Sequence, residues 1–187
     1  LRVDASWFEH HGDNGRWIST GARNYVLYGA SELRYLVTTD PAPTAINDLE
    51  YYVHHPPLIV WLVSLSSDIF GRYNDDSQFI AGTPYELSAR LIPIFATMIS
   101  LCAFYVIVRR LFGSRLAFLA LVLYSFTPMT MYFGRMVNHE PLALAFLYLF
   151  IAIFIKWMRY YAHTRTLALI VLAGLAMWSA WAPVFFL

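Results

Sequence analysis

The chain has 187 residues, of which 59% are hydrophobic, 18% aromatic and only 13% charged, with a formal net charge of +1 and a mean hydropathy of +0.51. Soluble domains run near 45–50% apolar and about 25% charged, so this composition belongs to an integral membrane protein. Cys102 is the only cysteine, which excludes a disulfide scaffold, and the balanced charge excludes a nucleic-acid footprint.

Residues 1–55 are polar and aromatic and hold four of the six histidines. The first cluster, Glu9-His10-His11-Gly12-Asp13-Asn14, precedes Trp17, Gly21, Asn24, Tyr25 and Tyr28 at three- and four-residue spacings. That periodicity predicts an amphipathic helix stopping near Gly29, with Asp13 at its start. Asp is a favoured N-cap, so a purely structural role for Asp13 competes with a chemical one.

The second cluster is Tyr51-Tyr52-Val53-His54-His55-Pro56-Pro57-Leu58, followed by a short apolar stretch to Phe70. Eleven helical residues reach only about 16 Å, half the hydrocarbon core. We therefore expect 56–70 to lie in the membrane interface as a juxtamembrane helix with Trp61 at headgroup level. Adjacent histidines point apart on regular elements and rarely chelate one metal.

After Glu86 four apolar runs follow, at about 87–108, 116–133, 141–158 and 167–187. The first would rise about 33 Å as helix, enough to cross a bilayer. Arg109, Arg110 and Arg115 sit in one connection and Lys156, Arg159 and Arg165 border another, while all 12 acidic residues lie in 1–86 or at Glu140. The positive-inside rule places both basic connections in the cytoplasm, and residues 1–86 and the 134–140 turn on the other side. That turn carries the third cluster, Arg135-Met136-Val137-Asn138-His139-Glu140. Arg135 and Glu140 would each cost about 2.5–3.5 kcal/mol at mid-bilayer, which makes the segment a hairpin reaching water or a polar cavity. It is not a His-Glu-x-x-His zinc helix, because position 143 is alanine.

The expected fold is therefore all-α: a polytopic transmembrane helix bundle over 87–187, with an outer loop over 1–86 carrying juxtamembrane helices. The chain begins at Leu1 without methionine and ends within an apolar run, so we expect an incomplete N-terminal portion.

Taken in order, the clusters resemble the GT-C membrane glycosyltransferases, in the branch of protein O-mannosyltransferases and bacterial aminoarabinose transferases. The resemblance rests on an acidic residue (Asp13) ahead of Ala22-Arg23-Asn24-Tyr25, then His55-Pro56-Pro57-Leu58, then Glu86-Leu87-Ser88-Ala89-Arg90-Leu91 opening a span that closes at Arg109-Arg110-Leu111-Phe112-Gly113. Pro128 and Tyr132 then lead to Arg135 and Glu140. The chain departs from the mannosyltransferase pattern at Asp13-Asn14, where Asp-Glu is usual, and at His54-His55, where Glu-Lys is usual; a Gly-Lys after Pro-Pro-Leu is replaced by Ile59-Val60.

The resemblance implies sugar transfer from a polyprenyl-phosphate carrier to a lipid, glycan or protein acceptor on the non-cytoplasmic face. Such a transfer needs a carboxylate to take the acceptor proton and positive charge to hold the departing phosphate. Asp13 is the expected base, and Glu140 the second catalytic carboxylate, orienting the acceptor. His54, His55, Arg90, Arg135 and His139 are the expected substrate contacts, the arginines as bidentate phosphate partners. Asp13 and His54, with Glu140, are the expected ligands of a divalent metal cofactor such as Mg, Mn or Zn. The expected partners are membrane lipid and a polyprenyl-phosphate sugar, without nucleic acid, and the brevity of the loops favours a bacterial inner membrane with a periplasmic site. The competing reading is a non-catalytic GT-C-like subunit or fragment in a larger membrane protein complex. A transporter is disfavoured because the spans hold almost no ionisable residue in their middle thirds.

Overall fold

The computed structural model describes residues 12–39, 51–70 and 84–185, with the backbone alone at 12, 13, 84 and 85. Among them the chain forms seven α-helices and one two-stranded pairing: α1 (Gly12–Tyr28), β1 (Val37–Thr38), β2 (Tyr51–Tyr52), α2 (Leu58–Phe70), α3 (Pro84–Phe112), α4 (Ser114–Ser125), α5 (Pro128–Phe133), α6 (His139–Arg159) and α7 (His163–Ser179), then a 3₁₀ turn over Ala182–Phe185. It is an all-α membrane helix bundle preceded by shorter helices. Two compact units divide it: residues up to Ile92 with Met136–Asn138, and Pro93–Arg135 with the residues from His139 onward.

In the first unit α1 buries Ile18, Ala22 and Tyr25, one helical face at i, i+4 and i+7. They pack in a core shared with Leu33, Val37, Ile59, Val60 and Val63. Gly21 lets α1 come close: a Cβ there would meet Val37 Cγ1 at 3.0 Å and Val60 Cγ1 at 3.2 Å. The strands pair antiparallel, Val37 opposite Tyr52 and Thr38 opposite Tyr51. The buried Asn24 side chain donates to the Thr38 carbonyl at 3.4 Å, tying α1 to the pairing. The serines of α2 reach the start of α3, Ser66 Oγ donating to the Ser88 carbonyl at 2.7 Å. Glu86, in the first turn of α3, is buried, and a carboxylate suits the positive end of the helix dipole.

The second unit is built from small residues and rings. Ala96, Ser100 and Ala103 recur at i, i+4 and i+7 on α3, and Ala145 and Ala152 on α6, all buried. Small side chains let helix backbones approach where no hydrophobic drive separates lipid from protein. Phe104 of α3, Tyr124 of α4 and Tyr148 of α6 form a ring cluster with centroids 4.7–6.3 Å apart. Along α6, Phe150, Phe154 and Trp157 stack at 5.8–5.9 Å, Tyr161 just past the helix meets Trp157 edge-on at 5.9 Å, and Trp157 Nε1 donates to Thr166 Oγ1 of α7 at 2.9 Å. Arg110, at the end of α3, donates to the Ala152 carbonyl of α6.

Helices α3 (from Glu86) and α6 are long and apolar enough to cross a membrane, yet only 22% and 33% of their most apolar windows are buried. Core helices of a soluble protein would be mostly buried, so these apolar faces belong in lipid. The apolar run 116–133 is two helices rather than one. Thr127 is extended (φ −65°, ψ 138°) ahead of Pro128, which opens α5; a residue before proline is pushed out of the helical region. Helix α7 starts at His163, before its apolar run, and stops at Ser179.

Candidate functional site

The candidate groups fall in both units, and each unit carries its own arrangement. In the first, Tyr52 is the hub. Its ring lies 4.5 Å from the Trp17 ring, meets His54 edge-on at 5.5 Å and stacks on His55 at 5.9 Å with 9° between the planes. Its hydroxyl contacts His55 Nδ1 at 2.6 Å. The two histidines were expected to diverge as neighbours on a regular element. The chain bends just after β2, and both rings therefore pack against one tyrosine.

This contact has two chemical forms. With Tyr52 donating, neutral His55 carries its proton on Nε2 and can donate there. With Nδ1–H donating to Tyr52, Nε2 offers a lone pair instead. Burial pushes the Tyr52 phenol up from its ordinary value, so Tyr52 retains its proton at neutral pH and either form is available.

Trp17 connects this hub to α1. Its Nε1 donates to Asn14 Oδ1 at 3.3 Å. Asp13 occupies the first turn of α1, one turn before Trp17, and residues four apart share a helix face. The Asp13 side chain, like Glu9, His10 and His11, lies outside the described residues. Arg90 follows Glu86 by one turn on α3 and is half-buried.

In the second unit, Gly134 opens the turn that carries Arg135. Thr97 Oγ1 of α3 donates to the Gly134 carbonyl at 2.8 Å, and a Cβ on Gly134 would meet the Thr130 carbonyl at 2.4 Å. The turn is thus clamped to α3 by a contact that only glycine fits, and Arg135 leaves it half-buried. His139 and Glu140, adjacent in sequence, diverge. His139 is buried at 4% exposure, its Nδ1 3.1 Å from the Ser179 carbonyl, where an Nδ1–H donates and ties the start of α6 to the end of α7. Glu140 is exposed and lines a cavity of about 510 Å³ with Thr97, Ser100, Tyr124, Thr130 and Phe133. The lining is mostly apolar, and its Thr97 and Ser100 hydroxyls donate to the Gly134 and Thr97 carbonyls.

The metal expectation has less to stand on. Among the described residues no group of three or more His, Cys, Asp or Glu side chains gathers as a metal site, and of the expected pair Asp13 and His54 only His54 has a described side chain. Sequence reasoning gave no role to Trp17, Asn14 or Tyr52. The strand ends at Tyr52 and the chain bends before His54, so strand alternation gives no signal of their contact.

Comparison with curated proteins and with solved structures gives no match. A family described as dolichyl-phosphate-mannose-protein mannosyltransferase matches residues 54–186, from the histidine pair through α7. Over most of its length, then, the chain follows one family of GT-C membrane glycosyltransferases, and it belongs to the dolichyl-phosphate-mannose-protein mannosyltransferase family.

Proposed function

We propose that this protein transfers a sugar, with inversion, from a polyprenyl-phosphate carrier to an acceptor hydroxyl on the non-cytoplasmic side of the membrane. The observation that carries the reading is the Asn14–Trp17–Tyr52–His54/His55 assembly. It joins the helix face bearing Asp13 to the histidine pair at the membrane-proximal Pro-Pro turn, in a chain of this family. The charge asymmetry of the connections supports the side: Arg109, Arg110, Arg115, Lys156, Arg159 and Arg165 border the opposite ends of the spans. In a bacterial cell this is the periplasmic face of the inner membrane.

In this reading the acceptor oxygen attacks the anomeric carbon from the face opposite the phosphate. Asp13 takes the hydroxyl proton as the new C–O bond forms. The old C–O bond breaks, and its electron pair leaves on the carrier phosphate. The leaving group is already a phosphate ester, so it needs cationic stabilisation more than protonation. Arg135 and Arg90 supply charge and a bidentate fork, His54 and His55 ring N–H donors. Glu140 is the second carboxylate, orienting the acceptor, and His139 acts through packing.

Asp13→Asn tests the assignment. Asn caps a helix about as well as Asp, so stability should change by at most about 1 kcal/mol. The proton acceptor is gone, and general-base catalysis is worth roughly a hundred- to ten-thousand-fold. We expect normal membrane insertion and melting, with transfer from a polyprenyl-phosphate sugar reduced by that factor. Transfer near the parent rate rules out Asp13 as base.

A further inference from the structure

A second cavity, of about 480 Å³, opens in the first unit between the end of α1, the turn after it and α2; Tyr25, Tyr35, Trp61, Ser64, Leu65 and Asp68 line it. Its walls are aromatic. The Tyr35 and Trp61 rings meet edge-on at 6.1 Å and 66°, forming a corner. Trp61 is held in place by its Nε1, which donates to the Tyr25 hydroxyl at 3.1 Å. Asp68, two turns after Trp61 on α2, is exposed, and among the described residues no Lys, Arg or His lines the space.

Tyr35 is held there at a conformational cost. After α1 stops, the Tyr35 amide donates to the Ala30 carbonyl at 2.9 Å, and Arg34 and Tyr35 sit at φ 52° and 59°. The left-handed region is disfavoured for a bulky side chain, and such residues concentrate where structure serves a ligand. Yet Tyr35 remains 57% exposed, so the strained turn holds a ring outward instead of burying it.

We propose that this cavity is a binding site for a compact alkylammonium group. Aromatic faces attract a cation through the ring quadrupole, most strongly at Trp, and the Asp68 carboxylate supplies the countercharge. A neutral polyol would need several convergent side-chain donors and acceptors. Here Ser64 and Asp68 are the only non-aromatic polar side chains in the lining among the described residues. The site is separate from the Tyr52 hub and does not depend on the transfer reaction. Leu65, Ile69 and Phe70 leave large apolar surface exposed along the same end of α2, which suits a phospholipid whose ammonium headgroup occupies the corner; a soluble amine has the same chemistry.

The test is a titration of the full chain in phosphatidylglycerol nanodiscs, which contain no ammonium, with choline and its neutral carbon isostere 3,3-dimethylbutan-1-ol, followed by tryptophan fluorescence. Choline should bind roughly tenfold more tightly than the isostere, the scale of a partly desolvated cation–π contact. Asp68→Asn and Tyr35→Ala, both at exposed positions and so compatible with folding, should each narrow that difference by several-fold. In phosphatidylcholine discs, weaker apparent choline binding assigns the site to lipid headgroups, and unchanged binding assigns it to soluble amines. Equal affinity for choline and the isostere, or a preference untouched by both substitutions, overturns the proposal.

Discussion

The two units of this chain solve the same problem, holding helices together, with different materials. The first uses directional contacts made by polar or amphipathic side chains, to one another and to backbone carbonyls: Asn24 on the Thr38 carbonyl, Ser66 on the Ser88 carbonyl, Trp61 on the Tyr25 hydroxyl, and the ring hub around Tyr52. The second uses alanine and serine seams, stacked rings and single bonds to backbone carbonyls, and turns Phe95, Met98, Phe118 and Leu123 outward. A solvated region can place reactive groups by hydrogen bonding, because water satisfies whatever the fold leaves over. A lipid-facing region cannot leave polar atoms over, so it relies on close approach. The candidate chemistry follows this division: the histidine hub sits in the directional unit, and Glu140 with its cavity in the close-packed one.

Two glycines break the comparison most sharply. Gly134→Ala places a methyl against the Thr130 carbonyl at 2.4 Å and Thr97 Cγ2 at 2.9 Å, and backbone cannot yield as a flexible side chain can. We expect a loss of about 1–3 kcal/mol, read as a lower melting temperature, with reduced transfer because Arg135 follows directly. Gly174, inside α7, has nothing within 4 Å of its Cβ position. Gly174→Ala should stabilise by about 0.5–1 kcal/mol through helix propensity. If both substitutions behave alike, close approach at Gly134 is not what holds the turn.

Tyr52→Phe sharpens the other side. It keeps the ring contacts and removes only the 2.6 Å contact with His55 Nδ1. The site is exposed, so stability should fall by no more than about 0.5–1.5 kcal/mol. Function should move more than stability: the KM for the sugar donor should rise several-fold with kcat nearly unchanged, since His55 loses the partner that orients it. An unchanged KM would make the hub a packing device alone.

Much of this organisation is legible from spacing and charge. The break between apolar and polar residues near Glu86, the short helix α2 behind Pro56-Pro57, and a turn opening at Gly134 are local signals. Long-range contacts are not. Nothing in the sequence near His139 announces Ser179, forty residues away, as the acceptor for its ring, and so a buried anchor and a cavity carboxylate look alike as His139-Glu140. The run 116–133 misleads for another reason: hydropathy counts apolar residues, whereas Pro128 acts on the backbone conformation of Thr127. The role of Tyr52 was hidden because a bend, invisible to period-2 reasoning, folds two consecutive histidines onto it.

The smallest expected effect concerns Tyr25, where directional bonding and burial compete in one residue. Burial pushes its phenol up from the ordinary value near 10, and the Trp61 N–H donated to its oxygen opposes this only in part. The folded state therefore holds the Tyr25 proton more tightly than the unfolded chain does. Its contribution to stability is fully present below pH 10 and is lost as pH rises through the folded value. Thermal melting of the intact protein should accordingly fall above pH 10. Tyr25→Phe removes the ionisation but also the acceptor for Trp61 Nε1, so it should melt lower than the parent at pH 8 and lose less between pH 10 and pH 11. Equal slopes for parent and variant across that interval would mean that Tyr25 does not feel its burial, and that the Trp61 bond alone sets its environment.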